Sequence, residues 1–242
     1  MSSQLRNIST SSSQKAVMAS PKITTGGKER IHRASDLYKD AFRDDPVFIY
    51  MLSNLTDEER YAELYNYFRG LMTASALNGG IFDEAEDWSS CSVLIPPGKR
   101  VDNPWTLLPS GLLRLLWMLG IAGCRKMLVE FTGLSDAAKK MGLKGQKSYY
   151  YVFFVATKKE ARGKGLSSAL LRKAQARGEK AGLPVWLEAT TEYSMKLYSR
   201  LGFELVEPMI LGKGKVGSDG RPKQGGEGVT CYAMVWWPPT KK

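Results

Sequence analysis

At 242 residues the chain has room for one large domain or two small ones, and its 43% hydrophobic content is ordinary for a soluble globular protein. Three scattered cysteines and a single histidine exclude a disulfide framework, argue against a zinc site, and leave a serine–histidine hydrolase only His32, beside a polar tail. A net charge of +11 asks for an anionic partner, and no nucleic-acid motif or aromatic-interleaved basic stripe stands out to make that partner DNA or RNA.

Residues 1–20 are rich in Ser, Gln and Thr and read as a disordered tail without a signal-peptide apolar core. A short strand is expected near Ala16–Thr24 and a helix over Ala34–Phe42, broken by Asp44-Asp45-Pro46 before an apolar pattern resumes at Val47–Leu52. Thr56 and Glu59 form a capping box, and Tyr61, Leu64, Tyr65, Phe68, Leu71, Met72 and Ala76 follow at helical spacing up to Gly79-Gly80. Ile81–Ala85 and Trp88–Ile95 read as two strands joined by a short acidic turn, stopped by Pro96-Pro97-Gly98. Next comes a Leu- and Trp-rich stretch over 103–141. Its apolar run contains Arg114, is punctuated by Pro109, Gly111, Gly120 and Gly123, and falls short of the length needed to span a membrane. It is expected to be a helical insert, either buried or forming a hydrophobic lid.

The centre of the chain is Tyr149–Ala181. Tyr149–Ala156 is an aromatic and β-branched run with the composition of a buried strand. Ala169, Leu170, Ala174 and Arg177 lie at helical spacing, and Gly182 with Pro184 ends that helix. Between them stands Arg162-Gly163-Lys164-Gly165-Leu166-Ser167. Two glycines let backbone approach a ligand, and the free amides at a helix start suit a phosphate or pyrophosphate. Lys158, Lys159, Arg162, Lys164, Arg172 and Lys173 concentrate positive charge there. The Gly-x4-Gly-Lys-Ser/Thr pattern is absent, and G-x-G-x-x-G fails at Ser168. The pattern that fits is R/Q-x-x-G-x-G/A, with Ser167 in the last place. Val185–Ala189 follows as a strand, then Leu197-Tyr198-Ser199-Arg200-Leu201-Gly202-Phe203 as a helix end. Phe203–Leu211 and Val229–Trp236 read as a final strand pair, joined by a Gly-, Lys- and Pro-rich loop expected to be mobile.

The order and spacing of these three elements, over Tyr149 to Val206, resemble the GNAT superfamily of N-acetyltransferases. The resemblance implies an α/β (α+β) fold, a central mixed, mostly antiparallel sheet flanked by helices. Residues 21–238 would form one domain, with the insert between its third and fourth strands. It implies acetyl-CoA as acyl donor, an amine acceptor attacking the thioester directly, and no metal. The backbone of Val155, Ala156 and Thr157 would hold the pantetheine arm, the Val155 amide facing the oxyanion. The amides of Arg162, Gly163, Lys164, Gly165, Leu166 and Ser167 would bind the pyrophosphate. Thr191 stands where the family often has an Asn that contacts the arm. Tyr198 would protonate the departing thiolate. Glu188 is the first choice of base, with Asp83, Glu84, Glu86 and Asp87 as alternatives. A small-molecule amine is the expected acceptor. A protein amine, or a catalytically silent CoA-binding protein, are the alternatives. A cytoplasmic monomer or homodimer is expected.

Overall fold

The computed structural model describes residues 20–239. Residues 1–19 lie outside the described residues, and with them nearly all of the expected tail and the start of the expected Ala16–Thr24 strand. The first strand, β1, forms later, at Ile23–Gly26. Two helices follow where the apolar patterns stand, α1 at Ile31–Ala41 and α2 at Pro46–Met51. Asp45 ends the first pattern and starts the second: its side chain accepts from Val47 N at 2.9 Å as the N-cap of α2, and Pro46 supplies a preset first-turn φ. Helix α3, Asp57–Leu77, opens on the Thr56–Glu59 box with both reciprocal bonds formed, 3.2 and 2.9 Å, a cap worth about 1 kcal/mol.

Strands β2 (Ile81–Ala85) and β3 (Ser90–Ile95) pair antiparallel. Trp88, expected inside the second strand, sits instead in the turn, where Glu86, Asp87 and Trp88 all have positive φ. The Glu84 carboxylate accepts from Trp88 N at 2.8 Å and holds this turn closed. The insert is helical and lies between β3 and β4 as expected: α4 (Pro104–Leu107), α5 (Leu112–Cys124), a π-helical segment (Arg125–Phe131) and α6 (Thr132–Gly142). Helix α5 is broken at Gly120, whose φ of 61° and ψ of −179° are open to glycine and strained for other residues. Among the described residues no helix is long and apolar enough to cross a membrane.

The rest follows the expected order: β4 (Tyr150–Thr157), α7 (Leu166–Ala181), β5 (Val185–Ala189), α8 (Glu192–Arg200), β6 (Glu204–Leu211) and β7 (Val229–Trp236). All seven strands form one sheet of order β1-β2-β3-β4-β5-β7-β6, antiparallel except at β4–β5. Alternation sorts the side chains onto two faces. Val93, Ile95 and Trp186 face α1, α2, α3 and the insert, while Leu94, Val185, Leu187 and Ala189 face α7 and α8. The loop after β6 folds onto α2 and α3 rather than standing free. Arg221 pairs with Asp57 at 2.7 Å, and a Cβ at Gly220 would lie 2.2 Å from the Pro46 carbonyl oxygen.

Candidate active site

The site begins with a fault in β4. Its pairing to β3 runs Val93 to Phe154 and then Leu94 to Val152, so Phe153 is an extra residue, a β-bulge. A bulge shifts the phase of alternation. Tyr151, Phe153, Phe154 and Ala156 therefore all pack toward the α1–α3 side, while Val152 and Val155 pack toward α7. Phe153 and Phe154 meet edge to face at 4.5 Å between centroids, and Phe154 joins Tyr38, Phe42 and Phe68 within 6 Å. Tyr38 and Phe68 are wholly buried, and the half-buried Phe42, Phe153 and Phe154 form an aromatic floor beside them.

On its other edge β4 pairs with β5 only at Tyr150–Val185 and Tyr151–Trp186. Beyond Tyr151 the two strands part, and the β4 edge from Val152 to Thr157 has no strand partner on that side. An extended chain with amide groups can pair with such an edge. At the far end the chain turns through Gly163 (φ 79°) and Gly165 (φ 75°) into α7. The amides of Gly163 through Ser168 find no acceptor among the described residues, whereas the Lys158 amide is used by Ser89 O at 2.9 Å. A Cβ on Gly163 or Gly165 would meet nothing within 4 Å, so the concave side is open. Six clustered amides at the positive end of a 16-residue helix form an anion cradle.

A chain of hydroxyls fixes the cradle to the strand. Ser90 Oγ donates to Ala156 O at 2.8 Å, so its single proton is committed. Thr157 Oγ1 must then donate to Ser90 Oγ (2.8 Å), and Ser167 Oγ to Thr157 Oγ1 (2.6 Å). Ser167 thus locks α7 to β4 through its hydroxyl and offers a ligand its amide. Of the basic residues, Lys158, Lys159, Arg162, Lys164 and Arg172 are exposed around the cradle. Lys173 turns away to Asp83, at 3.0 Å.

The opposite walls carry the titratable groups. Tyr198 on α8 is buried beside Phe203, and burial pushes its phenol up to about 12, so it stays protonated at neutral pH. Thr191 is the N-cap of α8, accepting from Ser194 N at 3.2 Å and donating to Ser194 Oγ at 3.0 Å. Glu188 lies on β5 past the last residue paired to β4, facing the insert. Its Oε1 accepts from Ser135 Oγ at 2.6 Å and Trp186 Nε1 at 2.7 Å. Burial and the neighbouring Glu188 carboxylate raise the Tyr151 phenol well above its ordinary value, which keeps it a donor to that carboxylate.

The acidic residues before β3 fall elsewhere. Asp83 is sealed at the β1–β2 corner against Arg177, Lys173 and Thr25. Glu84 binds Thr24 Oγ1 and Trp88 N, Glu86 accepts from Lys22 N, and Asp87 pairs with Arg33. A residue that the sequence marked only as a helix break stands at the opening instead. Asp45 accepts from Thr190 Oγ1, just past the end of β5, at 2.6 Å. Burial raises its carboxyl from 3.8 to about 6, against the opposing pull of the Thr190 and Val47 donors. Its charge is felt by Tyr198 and by the buried Cys231. An Asp-Pro at a helix start was the only local signal for it.

The insert closes this side as a fixed wall. Glu130 accepts from Tyr50 Oη at 2.5 Å and Gly212 N at 2.7 Å, and Lys126 Nζ donates to Ser53 Oγ at 2.6 Å. Among the described residues no group of three or more His, Cys, Asp or Glu is placed to hold a metal ion.

The parted strand pair thus leaves one edge free for an extended, amide-bearing chain, and leads to an amide cradle suited to a phosphate or pyrophosphate. Comparison with known proteins gives what the chain is similar to. The acetyltransferase (GNAT) family model matches residues 104–203, so this stretch, from the insert through β4, α7, β5 and α8, is similar to GNAT acetyltransferases. An uncharacterised N-acetyltransferase of Schizosaccharomyces pombe is 27% identical over 180 residues, 74% of this chain and 72% of the relative. A Corynebacterium glutamicum structure titled histone acetyltransferase HPA2 and related acetyltransferase superposes with a TM-score of 0.58 at 22% identity, covering 92% of this chain and 98% of that one. A Drosophila melanogaster polyamine N-acetyltransferase superposes with a TM-score of 0.61 at 15% identity, covering 89% and 100%.

Proposed function

We propose that the protein acetylates a primary amine of a small, partly apolar molecule, by direct attack on acetyl-CoA held in the β4–β5 opening. The observation that carries this reading is the pairing of two groups at that opening: a carboxylate tuned to about 6 at Asp45 and a phenol kept protonated at Tyr198. An acetyl transfer to an amine needs one group of each kind.

The pantetheine arm lies along Val155, Ala156 and Thr157, pairing with the free edge of β4. The amides of Gly163, Lys164, Gly165, Leu166 and Ser167 receive the pyrophosphate, whereas that of Arg162 is bonded to Lys159 O at 3.4 Å. The exposed lysines and arginines around them read the remaining phosphate. The amine nitrogen attacks the thioester carbonyl carbon while Asp45 accepts its proton. The oxyanion is held by the Val155 amide, a fixed dipole that needs no reorganisation. The C–S bond then breaks, and the thiolate takes the Tyr198 proton. In this scheme Asp45 replaces Glu188 as base. The Glu188 carboxylate already serves Ser135, Trp186 and Tyr151, and so positions the wall. Thr191 acts through α8, by capping the helix that presents Tyr198.

The aromatic floor supports an acceptor with an apolar body. Structures of this fold include proteins named for agmatine, polyamine and arylalkylamine acetylation, and the acceptor class proposed here is of that kind. We further propose that residues 21–238 act as one catalytic domain, in the reducing cytoplasm that three free cysteines suit.

Thiol release from acetyl-CoA, measured against a panel of arylalkylamines, polyamines and peptide N-termini, tests the reading. Release with an arylalkylamine or polyamine is the expected result. Tight acetyl-CoA binding without release for any amine would mean a silent binding protein, and release with peptides alone would mean a protein acceptor.

A further inference from the structure

The outer side of the insert is more apolar than a water-facing surface needs to be. Trp105 is 89% exposed, Leu108 72%, Trp117 87% and Ile121 92%. On α5 the fold itself uses the other side: Leu112 and Leu119, seven residues apart, are buried against α3. Arg114 and Trp117 project from the opposite face, and Ile121 is exposed just past the break at Gly120. The insert therefore buries one stripe and leaves a second apolar stripe without a partner.

The charge around that stripe is mainly positive, with Glu63 as the acidic residue that shares a hollow with Arg69 and Arg114. Between residues 104 and 129 the chain carries Arg114, Arg125 and Lys126 and no Asp or Glu. Where α4 meets α5, an open hollow of about 340 Å³ is lined by Lys28, His32, Arg69, Thr73 and Pro109. Lys28, Arg69 and Arg114 form no ion pair among the described residues. A basic hollow thus adjoins an apolar ridge that holds two exposed tryptophans.

We propose that this face docks on the surface of an anionic lipid bilayer. Trp105, Leu108, Trp117 and Ile121 enter the interface between headgroups and acyl chains, and Lys28, Arg69 and Arg114 meet the lipid phosphates. Tryptophan favours that depth because its ring is apolar and its N–H polar. Apolar insertion and basic attraction together give stable surface binding where either alone is weak. A second copy of the chain is the poorer occupant, since it would bring Arg114 and Arg69 against their own kind. Among the described residues no helix is long and apolar enough to cross the bilayer, and the contact proposed is peripheral. The proposal stands on this surface and not on the identity of the acetyl acceptor.

Flotation of the full chain tests it, using vesicles of phosphatidylcholine with about a third phosphatidylserine against vesicles of phosphatidylcholine alone. The protein should float with the anionic vesicles and bind the neutral ones about tenfold more weakly. Trp117→Ser/Ile121→Ser should lower binding to both about tenfold with acetyl-CoA affinity unchanged, because both side chains are exposed and distant from the cradle. Arg69→Glu/Arg114→Glu should lower binding to the anionic vesicles only, and Lys180→Glu, outside this face, should change neither. Absence of flotation, or equal flotation of the Trp117/Ile121 variant and the parent, would overturn the proposal. So would a dimer in sedimentation velocity that the same variant abolishes, since the face would then belong to a second copy.

Discussion

The β1–β2 corner and the mouth of the β4–β5 opening each draw an aspartate away from water, and the two titrate in opposite directions. At the corner, Asp83 is 1% exposed. Burial pushes its carboxyl up, but donors from Arg177, Thr25 and Lys173 more than offset this and hold it below the usual range. At the mouth, Asp45 also receives donors, from Thr190 and Val47, yet none carries a positive charge, and burial wins. The lesson is that burial alone says little about a carboxylate. A paired cation turns it into a structural tie, whereas neutral donors leave it able to take a proton near pH 6.

The largest effect should come from Asp45→Asn. As the proposed base, its loss should lower kcat/KM by about 10²- to 10³-fold, with acetyl-CoA affinity unchanged by calorimetry. Asp83→Ala should do the reverse, leaving turnover per folded molecule intact while reducing stability by about 2–4 kcal/mol in urea unfolding, because Arg177 and Lys173 lose their partner. Next in size is the stability of the Asp45→Asn protein. The folded carboxyl binds its proton more tightly than the unfolded one, at about 6 against 3.8. Its contribution is therefore most favourable below about pH 4 and is lost as pH rises through 6. Asp45→Asn should be more stable than the parent by about 1–3 kcal/mol at neutral pH, a gain that vanishes near pH 4. The smallest effect should be that of Thr190→Val. Removing the donor that pulls the Asp45 carboxyl down should move the acid limb of the rate profile up by about 1 pH unit. A limb that stays in place would separate Thr190 from the titration of Asp45.

Much of the cofactor side was legible because it is local. The strand, two glycines and helix start stand within Tyr150–Ala181, and the free amides follow directly from glycine spacing and helix geometry. The acceptor side is assembled from afar. Asp45 meets Thr190 across 145 residues, and no periodicity announces such a contact. The acidic turn of β2–β3 invited a catalytic reading, yet its partners, Arg177, Thr24, Lys22 and Arg33, lie in elements distant in sequence. The bulge at Phe153 was equally silent, since a run of aromatic and β-branched residues reads as uninterrupted strand whichever face each ring takes. The helicity of the insert was visible in its leucines. Its exposed outer stripe was not, because an apolar residue carries no mark of which face is covered.

The comparison of the two aspartates rests on the chemistry at Asp45, and one measurement reaches it most directly. It is the pH dependence of kcat/KM for CoA release with the best amine of the panel, from about pH 5 to about pH 9, in the parent and in Asp45→Asn. The account predicts an acid limb near pH 6 in the parent and a slow, limb-free profile in the variant. A variant that keeps the rate and the limb of the parent would contradict it.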